Sequence, residues 1–256
     1  MSSITALRRQ LQDPRKPYDT FYGKLIMRPL SIYITWALKD TRVTPSGVTL
    51  ISILFGLGGA WALALGDWSK GILFLNLWYL LDHVDGELAR YRNQRSATGL
   101  FVDTIANFFL IPGTFFGLGF GLKFYGHGWL YVGFAAAYGG VMMMMISYYE
   151  SAVLLEFMNK PKPVIHSSSE PKKSVKSSVF KKVFSVAHYL TTFPFILMIL
   201  SFLFILISVA WSTAIIYFLK GFILFYAILY TLVWFALIVQ KVVSKSLDAK
   251  IGAMNG

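Results

Sequence analysis

From Val183 to Gln240 the chain runs for 58 residues with a single charge, Lys220. A helix that is apolar all round has no face to offer water, so such a run belongs in a bilayer or deep inside protein. About 20 residues at 1.5 Å rise cross a hydrocarbon core of about 30 Å, so the run divides into two spans and is too short for three with turns. The predicted turn is Trp211-Ser212-Thr213, where an interfacial aromatic meets small polar residues. The same criterion places four earlier spans near residues 47–66, 69–92, 99–122 and 128–155. The expected fold is all-α: a polytopic membrane protein of six transmembrane helices. With 56% hydrophobic and only 14% charged residues, the composition excludes an ordinary soluble domain.

The net charge of +12 would suit nucleic acid if it covered a soluble face, but the basic residues lie between the apolar runs. Counted by side, 21 Lys and Arg flank one set of span ends and 2, Lys70 and Lys123, the other. That bias places both termini and the loop around residues 90–95 in the cytoplasm, and nucleic acid is not an expected partner. Membrane lipids are. A microbial plasma (inner) membrane is the expected location. Pro29 to Lys39, with Tyr33 and Trp36 among aliphatics, predicts an amphipathic helix lying in the cytoplasmic interface. The Ser-, Pro- and Lys-rich connection Lys160 to Lys182 reads as a mobile segment held near anionic headgroups. The expected organisation is a cytoplasmic segment 1–46, a six-helix domain 47–242 with a cytoplasmic loop at about 157–182, and a tail 243–256. The N-terminus lacks the apolar core of a cleaved signal peptide, and the absence of cysteine excludes a disulfide framework.

Charges inside the second and third spans follow a fixed spacing. Asp82, Asp85, Gly86, Ala89, Arg90, Gly99 and Asp103 form D-x2-D-G-x2-A-R-x8-G-x3-D. A carboxylate in hydrocarbon costs several kcal/mol unless partnered, so a cluster of them marks a functional site. Asp82, Asp85, Gly86 and Ala89 share one helix face: two oxygen donors followed by two positions with almost no side chain. Asp103 and Asn107 share a face of the next helix, and the interval from Arg90 to Gly99 permits an antiparallel hairpin that brings the faces together. Hard oxygen donors suit Mg2+ or Mn2+ bound to pyrophosphate.

These seven positions resemble the signature of the CDP-alcohol phosphotransferase family, membrane enzymes of about six helices. Seven fixed matches arise by chance about once in 10^8 starts at ordinary residue frequencies, so the motif is specific. Thr44-Pro45 with Val48-Thr49 is similar to the segment preceding the family's first span, although Ser46 stands where asparagine is common. The resemblance implies a metal site, expected to hold two ions, on Asp82, Asp85, Asp103 and the Asn107 position, and a seat for the CDP moiety on Asp82, Asp85, Gly86, Ala89, Arg90 and Gly99. It implies transfer of a phosphatidyl or phospho-alcohol group from a CDP-linked donor, CDP-diacylglycerol in the commonest microbial arrangement, to an alcohol acceptor with release of CMP, in phospholipid biosynthesis. A homodimer is expected.

The family pattern ends in a further aspartate, assigned as metal ligand and general base, and Asn107 stands there. An amide oxygen can coordinate a metal but cannot accept a proton near neutral pH. A variant using another base, an altered catalyst and a degenerate enzyme that only binds CDP all fit this departure. Glu87 is a poor substitute, rotated about 140° off the motif face. Glu150 is a candidate for contact with the acceptor, or an interfacial acid among tyrosines; His83 reads as a satisfied interhelical histidine. Met142 to Met145 and the clusters Gly56 to Ala60 and Gly139-Gly140 read as helix packing, and Lys220 as snorkelling outward. The scarcity of basic residues near the motif favours an uncharged or zwitterionic acceptor. An aspartate-rich prenyltransferase is the alternative enzyme, but its aspartate motifs lie far apart in sequence and lack the G-x2-A-R portion.

Overall fold

The computed structural model describes residues 3–13, 19–159, 189–210 and 214–244, and no strand occurs among them. Two short helices open the chain. The first, α1 (Ile4–Leu11), starts where Ser3 accepts from the Ala6 N–H. It buries Leu7 and Leu11 against Ile32 and Tyr91. The sequence signature of α1 is short, a capping serine followed by Leu at i and i+4, and is weaker than the apolar runs that mark the long helices. The second, α2 (Arg28–Leu38), carries Pro29 in its first turn and follows a π-helical turn, Gly23–Met27.

Six long helices follow: α3 (Pro45–Ala64), α4 (Trp68–Tyr91), α5 (Ala97–Leu122), α6 (Gly128–Asn159), α7 (Phe193–Ala210) and α8 (Ala214–Ser244). Their starts were legible: Thr44 caps α3 ahead of Pro45, Asp67 caps α4 and Ser96 caps α5, each accepting a first-turn N–H. The expected turn at 211–213 and the connection 160–182 lie outside the described residues. Among the described residues, four helices are long and apolar enough to cross a membrane: Pro45–Ala64, Ala97–Tyr125, Gly128–Glu156 and Ala214–Val242. In α4 the motif charges lower the hydropathy, and the described apolar part of α7 is short.

Packing runs in a ring. α3 touches α4 and α5, α5 touches α6, α6 touches α8, α8 touches α7, and α7 closes the ring on α4. The predicted small-residue clusters are where backbones approach. A Cβ on Gly117 would lie 2.3 Å from the Ala60 carbonyl oxygen, and one on Gly139 would lie 2.6 Å from Tyr230 Cβ. Tyr226 and Tyr230 fill the interior with Phe115, Leu118 and Leu122, and the Tyr230 hydroxyl donates to the Thr191 carbonyl at 3.1 Å. Met143 is buried in the same core, as expected of packing.

One expectation changes in kind. The motif hairpin predicts α4 lying directly on α5, but both helices pack on α3 and have little backbone contact with each other. Their facing side chains therefore line a cleft at the end of the bundle where the 92–96 turn lies. The link from α2 to α3 joins that end, held by Arg92 just past the last turn of α4.

Candidate active site

The turn that sets the cleft is a Schellman motif. The Asn93 N–H bonds the Arg90 carbonyl at 3.3 Å, the Gln94 N–H bonds the Ala89 carbonyl at 2.8 Å, and Asn93 takes φ +53. Asparagine is the non-glycine residue best suited to that conformation, so α4 stops here and the chain reverses into α5.

Across the cleft the Asp82 and Asp103 carboxyl groups come within hydrogen-bonding reach of each other. Asn107, one turn beyond Asp103, spends its amide hydrogens on that residue, at 3.0 Å to the carbonyl and 3.2 Å to Oδ1. Asp85 turns toward α3 and accepts a bond from Thr49 Oγ1 at 2.7 Å. A Cβ on Gly86 would meet Arg90 Nη1 at 3.2 Å, so the missing side chain gives the guanidinium room to lie back along α4. Arg90 is also within Coulombic reach of Asp85. Gly99 is exposed in the first turn of α5, its N–H donated to Ser96 Oγ at 3.0 Å.

The structure thus brings together Asp82, Asp103 and Asn107, with Gly86 and Arg90 one turn along. It holds Asp85 beside them on the same face but turned to Thr49. Among the described residues no three His, Asp or Glu side chains close on one point. The donor set nevertheless fits a divalent cation. Two partly buried carboxyl groups face each other, an arrangement favoured by added positive charge or a shared proton. Thr49 belongs to the site, and in the sequence its only sign was a place in the segment before the first span.

The other face of α4 carries a different group. Glu87 is fully buried, and its carboxylate accepts four bonds: from Gln12 Nε2 (2.8 Å), Arg28 Nη1 (3.1 Å) and Ser31 Oγ (2.8 Å) on Oε1, and from Thr35 Oγ1 (2.7 Å) on Oε2. Arg28 also binds Asp19 at 2.8 Å. Burial works against the Arg28 charge, but the carboxylates of Asp19 and Glu87 outweigh it and hold its pKa above the ordinary arginine value. Sequence spacing excluded Glu87 from the motif face, as the structure does, and gave no sign of these partners. His83 is off the motif face, its Nδ1 2.9 Å from the Tyr79 carbonyl oxygen and its ring against Tyr79. Glu150 forms an ion pair with Lys241 that joins α6 to α8. Lys220 donates to the Tyr125 carbonyl at 3.2 Å, amid Tyr125, Trp129 and Tyr217 at the far end of the bundle. Arg92 is consumed structurally: its guanidinium donates to the backbone carbonyls of Leu38, Lys39, Thr41 and Val43.

Comparison with known proteins bears on the same segment. The chain is 30% identical over 125 residues to a bifunctional IPC transferase and DIPP synthase of Thermococcus kodakarensis, an alignment covering 49% of this chain and 28% of that protein. The chain thus spans little more than a quarter of that relative's length. Its fold matches the crystal structure of the phosphatidylinositol phosphate synthase PgsA1 of Mycobacterium tuberculosis with CDP-DAG bound, at TM-score 0.52 and 16% identity, over 81% of this chain and 91% of that one. Residues 42–165 match the sequence model for CDP-alcohol phosphatidyltransferase, a span holding every motif position from Asp82 to Asn107. Through that segment, just under half of its length, the chain is similar to the CDP-alcohol phosphatidyltransferase family.

Proposed function

We propose that this protein transfers a phosphatidyl or phospho-alcohol group from a CDP-linked donor to an alcohol, releasing CMP. The observation that carries this reading is the cleft between α4 and α5, where Asp82 faces Asp103 beside a bare Gly86 and the Arg90 guanidinium. The fold shared with a synthase crystallised with CDP-DAG supports CDP-diacylglycerol as donor. The match of residues 42–165 to the CDP-alcohol phosphatidyltransferase model favours this reading over the prenyltransferase alternative.

Asp82, Asp85, Asp103 and the Asn107 amide oxygen would hold Mg2+ or Mn2+, which when bound neutralises the pyrophosphate and the leaving CMP. Gly86 and Ala89 leave the backbone open to the nucleotide, and Arg90 pairs with phosphate oxygen. The acceptor hydroxyl forms a new P–O bond to the phosphate next to the lipid, and the bond from that phosphorus to CMP breaks. The hydroxyl proton cannot go to Asn107. Asp103 takes it in this reading, as the carboxylate one turn away, held by the Asn107 amide. The ion pair with Lys241 argues against Glu150 for that task.

One turn further along α5, Ile111 lines a cavity of about 210 Å³ with Ser147, Tyr148, Thr191, Thr192 and Tyr230 among its walls and no basic residue in its lining. That composition supports an uncharged or zwitterionic acceptor. Six spans are proposed, with α4 and α7 added to the four apolar helices. The organisation into 1–46, 47–242 and 243–256, the cytoplasmic placement of the motif end and the termini, the microbial inner-membrane location and the homodimer are proposed from the charge bias and the family. Cysteines at Ser96 and His127, in a chain with none of its own, should label from opposite sides; labelling from one side refutes that arrangement.

The direct test is CMP release by purified protein from CDP-diacylglycerol and from small CDP-alcohols, with Mg2+ or Mn2+ and a panel of alcohols. Metal-dependent release with one donor class supports the reading. CDP binding without release under all these conditions favours a protein that binds the nucleotide without turnover, for which Asn107 is the structural reason.

A further inference from the structure

Glu87 lies two residues after Asp85 on the opposite side of α4, and its side-chain hydrogen-bond partners Gln12, Arg28, Ser31 and Thr35 all come from outside the segment that matches the family. Its partners Arg28, Ser31 and Thr35 line one side of α2, while Leu30, Tyr33 and Trp36 on the other side are exposed by 50%, 56% and 41%. A helix that turns its polar side inward and its apolar side outward is oriented by lipid on one side and by a polar receptor on the other. Here the receptor that α4 supplies is one carboxylate, Glu87, beside Asp19 on Arg28. A second tie lies five residues on, where Arg92 holds the α2–α3 link through four backbone carbonyls. α3 holds α4 and α5 from one side, but α4 has little backbone contact with α5 itself, so the spacing of Asp82 and Asp85 from Asp103 has no direct tie across the cleft.

We infer that Glu87 is a positioning residue: with its bonds from α2 and Gln12 it fixes the rotation of α4, so that Asp82 and Asp85 present their oxygens to Asp103. Glu87 touches no substrate. It acts through the helix it shares with the motif, and the inference rests on the proposed metal and nucleotide site. Four bonds of 2.7 to 3.1 Å to a fully buried carboxylate leave little freedom to turn. A displacement of about 1 Å at a preorganised site commonly costs on the order of a hundredfold.

The experiment measures Mn2+ binding, by its electron paramagnetic resonance signal, to purified full-length protein with and without CDP. The variants are Glu87→Ala, Glu87→Gln and Thr35→Val, with Tyr22→Phe as control. Tyr22 donates to Asn76, on the same side of α4 but more than two turns from Glu87, and so tests generic loosening of the N-terminal segment. Glu87→Ala is expected to weaken CDP-dependent Mn2+ binding by roughly 10- to 100-fold, the range for removing a residue that orients ligands. Glu87→Gln, which keeps the shape and one acceptor, should recover most of it. Thr35→Val, which leaves the buried ion pair intact, should weaken binding a few-fold and decides the matter if Glu87→Ala does not fold. Tyr22→Phe should leave the affinity unchanged. Unchanged Mn2+ affinity in a folded Glu87→Ala or Thr35→Val protein overturns the inference, as does an equal loss in Tyr22→Phe. Failure of the unsubstituted protein to bind Mn2+ with CDP instead overturns the proposed function.

Discussion

The two sides of α4 place carboxylates at nearly the same depth and treat them in opposite ways. On one side Glu87 is sealed from solvent and accepts four bonds, three on Oε1 and one on Oε2. On the other, Asp82 is only partly buried and faces another acid. A buried carboxylate with a full set of protein donors belongs to the architecture; one whose neighbour repels it is completed by something that binds. The contrast separates a structural acid from a functional one without reference to any relative.

The largest expected effect tests the functional side. Asp82→Ala or Asp85→Ala should abolish metal-dependent CDP binding and lower CMP release by at least about a hundredfold, because the pyrophosphate loses its anchor. Full activity of either variant, or of the unsubstituted protein in excess chelator, would remove the metal site from that face. Asn107→Asp comes next. If the amide is what limits the chemical step, single-turnover CMP release should rise by about 10^2 to 10^4 fold at saturating metal and matched donor affinity. A rate equal to that of the unsubstituted protein would leave Asp103, or another group, as the base already in use.

Stability should invert the order of the two sides. Glu87→Ala takes one of two carboxylates from Arg28, which keeps Asp19, and one acceptor from each of Gln12, Ser31 and Thr35, so the loss should approach the lower end of the about 3 to 5 kcal/mol typical of a broken buried pair. Asp82→Ala removes one of two facing acids, so without metal it should leave the melting temperature unchanged or raised. Thermal unfolding in detergent at neutral pH, with chelator, compares them directly. Equal destabilisation by both would erase the distinction drawn between the faces.

How much of this was legible in the sequence follows from the range of each signal. The long helices were readable because hydrophobic runs, capping residues and proline act within a few residues: Thr44-Pro45, Asp67 and Ser96 mark starts almost to the residue. The motif face was readable because i, i+3, i+4 and i+7 is a local geometry. Glu87 could be excluded from that face by the same rule, yet its partners Gln12, Arg28, Ser31 and Thr35 lie 52 to 75 residues away, and no spacing encodes them. The hairpin was anticipated and the cleft was not, because α3 intervenes through Gly56, Ala60 and Gly117, small residues whose partners are not written in their own neighbourhood.

The smallest effect concerns Thr49, which connects α3 to the motif. Its hydroxyl lies 2.7 Å from Asp85 Oδ2 and 3.1 Å from the Pro45 carbonyl oxygen, and its one hydrogen favours the acid as the charged acceptor. That bond turns Asp85 away from the Asp82–Asp103 pair, so Thr49 either holds one carboxylate oxygen while the other serves the site, or keeps Asp85 out of it. Thr49→Val removes the hydroxyl while keeping the branched shape, and Thr49→Ser keeps the hydroxyl. In the first case Thr49→Val should weaken Mn2+ binding in the presence of CDP by about three- to tenfold, the equivalent of one hydrogen bond of about 1 kcal/mol, and Thr49→Ser should restore it. In the second case the freed carboxylate should bind the ion more tightly, and Thr49→Val would raise the affinity. An affinity unchanged in both variants would detach α3 from the site and leave the α4–α5 cleft to act alone.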